Sequence, residues 1–475
     1  MKQLFYLSLL LFFSINGFCQ AQKYVGIWEG DLDAGVQTLR LVFNISNKED
    51  GSLLLKMQSP QQSAMQLPAD TVYTTESNSI FMQMKKIGIS FSGKLLNDSV
   101  LVGEFFQGKP FPLQLKKVEK ASAIVKPKRP QTPKPPFNYI SRDVNFTNKD
   151  KSIQYAGTLT IPDTVAASKF AAVILISGSG PQDRDETILG HKPFAVIANH
   201  LTNNGIAVLR IDDRGVGKTT GNHSSATSAD FADDKEAALN YLQTLKWIDK
   251  KRIGLIGHSE GGMIAPLLAS KRKDIKAIVL LAGPGVSGLN LLTEQNVAIL
   301  KSGGMSAGVA EAYGTMFKKL NQSVLQSKDT TIALQQAIKV LNKWDVADSV
   351  KDIFKVATAN EKEVFAATMV SQLYNNWFRY FLNYNPAPAL KKLSCNVLAL
   401  NGSKDVQVLP ASNLAGIKAA LKKSKSKNYE IKEVVGLNHL FQTCSTCTID
   451  EYEKLEESFS PQVLDMMANW LKKYL

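Results

Sequence analysis

The sequence is poor in cysteine and histidine, with four and five among 475 residues. One Cys-x-x-Cys, Cys444-Ser445-Thr446-Cys447, has no second pair to complete a zinc site. The apolar run at residues 4–13 is about half the ~20 residues that a membrane-spanning helix needs. No nucleic-acid-binding motif is present. The excess of 56 Lys and Arg over 42 Asp and Glu, a net charge of +14, therefore reads as solubility and not as a polyanion site. With 44% apolar and 21% charged residues, disordered, collagen-like and multi-span membrane classes are excluded. At ~100–200 residues per domain, the length predicts two or three domains and ample core.

What is present begins with an export signal over 1–21. Met1-Lys2-Gln3 supplies a positive start, residues 4–13 the apolar stretch, and Asn16-Gly17-Phe18-Cys19-Gln20-Ala21 a cleavage region. Phe18 stands where a lipobox needs a small residue, so Cys19 is not expected to carry lipid. A secreted or periplasmic location follows, with no stable membrane insertion after cleavage near Gln20 or Ala21. In that oxidising setting Cys444 and Cys447 can close a local disulfide. Two unpaired thiols are the main alternative, and a metal the weakest. Cys395 leads an apolar strand and reads as a buried thiol.

Residues 22–118 read as an all-β accessory domain. Short alternating runs at 26–32, 39–45, 53–57, 79–84, 89–95, 99–106 and 111–117 are separated by turn signals. Glu49-Asp50-Gly51 marks one hairpin. Even spacing predicts a small antiparallel barrel or sandwich. The segment has no histidine and no catalytic cluster, so its apolar stripes read as core. Residues 119–137 contain Lys126-Pro127-Lys128-Arg129-Pro130 and Pro133-Lys134-Pro135-Pro136, a basic Pro-rich tract expected as an extended linker.

Residues 138–475 then alternate between strands and helices. A continuous apolar strand is predicted at 170–176, with further strands at 206–211, 252–256, 275–282, 396–400 and 429–434. Helices are predicted at 191–204, from a Ser228 cap to about Trp247, and at 261–269, 410–421 and 461–474. This pattern means an α/β fold, a mostly parallel sheet covered on both faces. Helix-like sequence without a strong strand over 288–390 interrupts the pattern near the C-terminal strand ends. It reads as a helical lid insertion.

The chemistry concentrates at Gly257-His258-Ser259-Glu260-Gly261, a G-x-S-x-G between a strand and a helix. The serine must sit on a sharp turn for its hydroxyl to project, which requires small residues two before and two after. The same turn aims the Glu260 N–H at a developing oxyanion. A hydroxyl is a poor nucleophile without a base. His191, His200 and His223 precede the serine, and His258 flanks it on the elbow and points elsewhere. His439, beyond the strand at 429–434, is placed to reach it. Asp405 in Asn401-Gly402-Ser403-Lys404-Asp405 ends the strand at 396–400 and is the expected orienting carboxylate. Asp450 and Glu451 follow the histidine and rank lower. Ser259, Asp405 and His439 are thus the catalytic candidates.

The second oxyanion donor is expected from the small-residue loop at 177–186, with Ser179 N–H first and Gly180 as fallback. Asp183, Arg184 and Asp185 read as structural ion pairs ahead of a pocket rim. The Gly-rich stretch from Arg210 to Lys218 lacks phosphate-loop spacing and reads as a turn. No cofactor or metal is implied, because the reaction needs only water.

These motifs resemble the α/β-hydrolase superfamily. The closer resemblance is to bacterial carboxylesterases with a G-S-G-P-Q-D-R-D loop, a G-H-S-E-G-G elbow, a G-x-x-D acid turn and a late N-H-L-F. Such sequences are similar to serine aminopeptidase-like hydrolases. The resemblance spans 138–475, and the G-x-W-x-G at the start of the β region looks like the extra domain of some members. It implies a covalent acyl-serine route through Ser259, Asp405 and His439. Ser177 departs from the pattern: many relatives carry histidine there, in support of the loop.

The expected function is a serine carboxylesterase acting on small or medium acyl esters beneath the lid. Tyr374, Trp377, Phe378, Tyr380 and Phe381 recur at helical spacing and read as lid core ahead of acyl pocket. Two alternatives stand beside it. One is a peptidase or amidase of the serine aminopeptidase type. The other is a non-catalytic protein whose β domain holds envelope material.

Overall fold

The computed structural model describes residues 21–33, 38–60, 65–75, 79–121, 128–163, 169–327 and 329–475. The expected export signal, with Cys19, falls on residues outside these apart from Ala21. The chain divides into two compact units, Met1–Lys126 and Pro127–Leu475.

The first unit is one antiparallel sheet of nine strands. They are β1 (Gly26–Asp33), β2 (Thr38–Asn47), β3 (Leu53–Gln58), β4 (Leu67–Pro68), β5 (Thr71–Thr75), β6 (Ser79–Met84), β7 (Ile89–Asn97), β8 (Val100–Gln107) and β9 (Lys109–Val118). The order is β4-β3-β2-β1-β9-β8-β7-β6-β5. A single sheet, a half-barrel, decides against the sandwich. Period-two patterning places Ile80, Met82 and Met84 of β6 inward. Trp28, Phe43, Phe91 and Phe105 fill the inner face, with Phe43 edge-on to Phe91 at 5.3 Å. The expected hairpin joins β2 to β3. Gly51 takes φ +80° and Asp50 Oδ1 accepts the Ser52 N–H at 2.9 Å.

The second unit holds an eight-stranded sheet of β10 (Tyr139–Thr147), β11 (Gln154–Pro162), β12 (Phe170–Ile176), β13 (Ala207–Ile211), β14 (Ile248–His258), β15 (Ala277–Leu281), β16 (Asn396–Gly402) and β17 (Tyr429–Val434). The order is β10-β11-β13-β12-β14-β15-β16-β17. From β13 to β17 the pairs are parallel, while β11 runs antiparallel to β10 and to β13. β13 and β15 are buried throughout, which explains the continuous apolar sequence of β15 and the apolar run that only Arg210 interrupts in β13. The β10–β11 hairpin was not predicted, because β10 is an edge strand with mostly exposed, polar residues.

One core lies between the sheet and the helices Ser228–Thr244, Gly261–Lys271 and Pro410–Leu421. The other lies beneath Pro193–Asn203 and Pro461–Tyr474. Two sequence expectations are corrected here. The first concerns the helix expected to start at a Ser228 cap. Its N-cap is Thr227, whose N–H and Oγ1 both meet Asp230 Oδ2, and the helix stops at Thr244. The second concerns the C-terminal part of the 119–137 tract, which is not a free linker. Arg129 donates to the carbonyls of Leu189, Glu453 and Leu455, and Gln131 accepts the N–H groups of Ser458 and Phe459. Composition showed that these residues cannot build a core, but did not show that their side chains dock on one.

Between β15 and β16, seven helices among the described residues form the expected insertion, from Gly288–Ser302 to Ala387–Lys391. It has its own core, including Phe317, Leu320, Leu341 and Leu373. The expected aromatic stripe divides. Phe378 joins this core, Phe381 and Tyr380 pack toward the sheet, Trp377 reaches the elbow, and Tyr374 is exposed. No helix among the described residues is long and apolar enough to cross a membrane.

Candidate active site

Ser259 follows β14 directly and has φ +53°, a left-handed conformation costly for a residue with a Cβ. The turn is held by a Ser259 N–H bond to Leu281 O at 2.8 Å and a Gly262 N–H bond to Ser259 O at 2.9 Å. It is also why the flanking residues must be glycine. A Cβ on Gly257 would lie 2.0 Å from Gly261 O, and one on Gly261 would lie 2.1 Å from Ile176 O. The hydroxyl of Ser259 makes no hydrogen bond among the described residues.

Asp405 and His439 meet across two loops at the C-terminal ends of β16 and β17. His439 Nδ1–H donates to Asp405 Oδ2 at 2.8 Å, and both side chains are buried. A proton on Nδ1 leaves Nε2 as the acceptor, the tautomer a general base needs. The remaining acceptor positions of Asp405 are taken by the N–H groups of Gln407 (2.8 Å) and Val408 (2.9 Å) and by Asn401 Nδ2 (3.1 Å). The histidine loop is fixed by Asn438, whose Oδ1 accepts the N–H groups of Leu440 and Gln442.

Ser259 is linked to this pair through its chain neighbour His258. The His258 ring packs on the His439 ring at 4.9 Å, and the loop after β12 closes over the elbow. A Cβ on Gly178 would lie 3.2 Å from Ser259 Cβ. Neither the Glu260 N–H nor the Ser179 N–H has an acceptor among the described residues. Of the rival groups, Asp450 pairs with Lys454 at 3.3 Å. Glu451 accepts the Ser445 and Cys447 N–H groups. His200 lies 3.2 Å from Asp465, and His223 stacks on Phe231.

A sequence profile of the family described as serine aminopeptidase, S33, an α/β-hydrolase family, matches residues 191–442, more than half of the chain. The chain belongs to that family. It is 26% identical over 331 residues to the esterase EstD of Thermotoga maritima, spanning 69% of this chain and 68% of that protein. It is 23% identical over 285 residues to an uncharacterized 31.7 kDa protein of Escherichia coli, spanning 58% of this chain and 84% of that one. Among solved structures, it is similar to the α/β hydrolase GrgF of Penicillium sp. sh18, with 16% identity and TM-score 0.43, covering 70% of this chain and 99% of that one. It is also similar to the Pyrococcus furiosus esterase Pf2001, with 15% identity and TM-score 0.43, covering 74% and 99%. The protein is an esterase-like serine hydrolase with an α/β-hydrolase fold.

Several residues around this hydrolase's elbow went unnoticed in the sequence. Glu260, read there only as a backbone donor, has a buried side chain. Its Oε1 accepts Ser228 Oγ–H at 2.5 Å and the Trp377 indole N–H at 2.8 Å, which ties the helical insertion to the elbow. This explains why Ser228 is not the helix cap. Burial raises the Glu260 carboxyl above its usual range.

Asp183, Arg184 and Asp185 are structural, as favoured. Arg184 grips Asp212 through Nε (2.9 Å) and Nη2 (2.7 Å), and Asp185 pairs with Arg210 and Lys192. Asp213 supports the loop after β12. Ser177 Oγ–H donates to it at 2.9 Å and Lys235 Nζ at 3.0 Å. Lys235 and Asp213 are both buried, so Lys235→Met leaves a carboxylate sealed without its cation. It is expected to destabilise the fold by about 3–5 kcal/mol. Urea midpoints of the two proteins measure this, and an unchanged midpoint would contradict it.

His191 is buried, with Nδ1 2.9 Å from Ser458 Oγ and Nε2 2.9 Å from Tyr452 O. The carbonyl takes an Nε2 hydrogen, the serine hydroxyl can donate to Nδ1 of the neutral ring, and Gln442 Nε2 lies 3.1 Å from His191 Nε2. Burial lowers its pKa from 6.5 to about 4. The unfolded chain therefore binds a proton that the folded chain does not over this interval. The His191 contribution is complete above pH 6.5 and is lost as pH falls toward 4. Urea midpoints should fall across that window, and less steeply in His191→Gln. Equal slopes in the two proteins would contradict the assignment.

Cys444 and Cys447 form a disulfide, so their sulfurs and the nearby Glu451 do not present a free thiolate site. Cys395 is a buried thiol whose pKa is pushed up to about 12 by burial.

Proposed function

We propose that this hydrolase cleaves small or medium carboxylic esters through an acyl-serine on Ser259. The observation that carries the reading is the buried Asp405–His439 hydrogen bond beside a serine on a left-handed elbow. His439 Nε2 takes the Ser259 proton as Oγ attacks the carbonyl carbon. The oxyanion is received by the N–H groups of Glu260 and Ser179, neither of which has an acceptor among the described residues. The alcohol leaves with the proton from His439. Water, deprotonated by His439, then attacks the acyl-serine and releases the acid. The Trp377–Glu260 bond supports reading the helical insertion as a lid. The expected export to a secreted or periplasmic location is supported by the disulfide, which suits an oxidising compartment.

The substrate class is tested by comparing p-nitrophenyl esters of two to eight acyl carbons with aminoacyl anilides. The reading requires turnover of the esters. Rapid release from anilides with negligible ester turnover would replace it with the aminopeptidase alternative.

A further inference from the structure

His258 was expected to flank the serine without a role, and Glu186 carried none. The fold makes them a pair. Both are buried, and His258 Nδ1 lies 3.0 Å from Glu186 Oε1. The same carboxylate oxygen accepts the Gly178 N–H at 2.6 Å, at the root of the loop that presents Ser179. On its other side His258 Nε2 lies 3.1 Å from the backbone carbonyl of His439. One imidazole therefore touches the elbow, the oxyanion loop and the loop that carries the base. Glu186 is held at φ +51°, a conformation that a glutamate adopts only when its surroundings impose it.

The hydrogen-bond chemistry states the charge. A carbonyl only accepts, so Nε2 carries a hydrogen. Nδ1 faces a carboxylate, so it carries the second. The neutral alternative would move that hydrogen onto Glu186 Oε1, the oxygen already receiving Gly178. The groups facing His258 from its neighbouring elements are Glu186, His439 and, at longer range, Asp405. Burial alone would lower the pKa of His258, but the Glu186 carboxylate outweighs it and the pKa is raised.

We propose that His258 and Glu186 form a buried imidazolium–carboxylate pair that positions the oxyanion loop and the His439 loop against the elbow. Both are positioning residues for acyl transfer, a role that rests on the esterase reading above. The pair holds N–H and C=O groups that the substrate never contacts. Its loss should therefore slow chemistry without weakening substrate binding.

Two measurements test this on the full chain. The first is ¹⁵N NMR of imidazole-labelled protein, with His258 assigned by His258→Gln. Both His258 nitrogens are expected to carry hydrogens across the active pH range. An unprotonated nitrogen near neutral pH would overturn the pair. The second is ester kinetics of Glu186→Gln, which keeps an acceptor for Gly178 and removes the charge. A misplacement of this kind predicts a fall in kcat of about 10–100-fold with KM within about twofold. Fluorophosphonate labelling should slow in step. A folded variant with kcat within twofold of the parent would overturn the positioning role. A parent chain inert to both probe and esters would overturn the esterase reading instead, while the NMR signature still decides the pair.

Discussion

Ser259→Ala is expected to lower kcat/KM for ester hydrolysis by about 10⁴–10⁶-fold, leaving only what oxyanion donors and binding can do with water. The substitution is a clean one here. The Ser259 hydroxyl makes no hydrogen bond among the described residues, so no buried partner is orphaned. The elbow is held by backbone bonds to Leu281 and Gly262, which alanine retains. Its stability should match the parent within about 1 kcal/mol. A large loss of rate with unchanged urea midpoint therefore reports chemistry. Residual activity within tenfold of the parent would mean that another group performs the attack.

Asp405→Asn is expected to cost about 10³–10⁴-fold in kcat, through the tautomer of His439. Asn can satisfy Gln407 and Val408 only by turning its carbonyl oxygen toward them. Its amide then faces His439 Nδ1, where the aspartate accepts at 2.8 Å. An amide N–H cannot face an Nδ1–H, so Nδ1 becomes the acceptor, the imidazole hydrogen moves to Nε2 and the base is lost. The amide also opposes Asn401 Nδ2, which now donates to Oδ2. A stability cost of about 1–3 kcal/mol follows from that second conflict. Rate constants in the variant that rise with pH as in the parent, with kcat within tenfold, would contradict this role for Asp405.

The sequence made the site legible wherever the chemistry constrains neighbouring residues. The elbow needs small residues beside the nucleophile, and Gly257 and Gly261 are spaced accordingly. Asp405 and His439 were legible because each follows a predicted strand, and parallel strands line up with their C-terminal ends together. The supporting network was not legible. The Glu186–His258, Ser228–Glu260 and Glu260–Trp377 bonds join residues 72, 32 and 117 positions apart. No periodicity or local spacing announces such pairs, since they depend on which polar groups the packed elements leave facing each other. Glu186 carried one faint signal, its place at the end of Asp183-Arg184-Asp185-Glu186. The β10–β11 hairpin was missed for the opposite reason. An edge strand with one exposed face carries a weak apolar pattern, even though β11 itself is well buried. Arg129 and Gln131 show that composition predicts the lack of a core but not the docking of single side chains.

The central claim is that Ser259 becomes the covalent centre of the reaction. The purified protein can be treated with a fluorophosphonate and digested, and the modified peptide sequenced by mass spectrometry. The account predicts one adduct, on Ser259, formed at a rate that falls in both His439→Ala and Asp405→Asn. A folded protein that takes no label, or takes it on another residue with ester turnover intact, would contradict it.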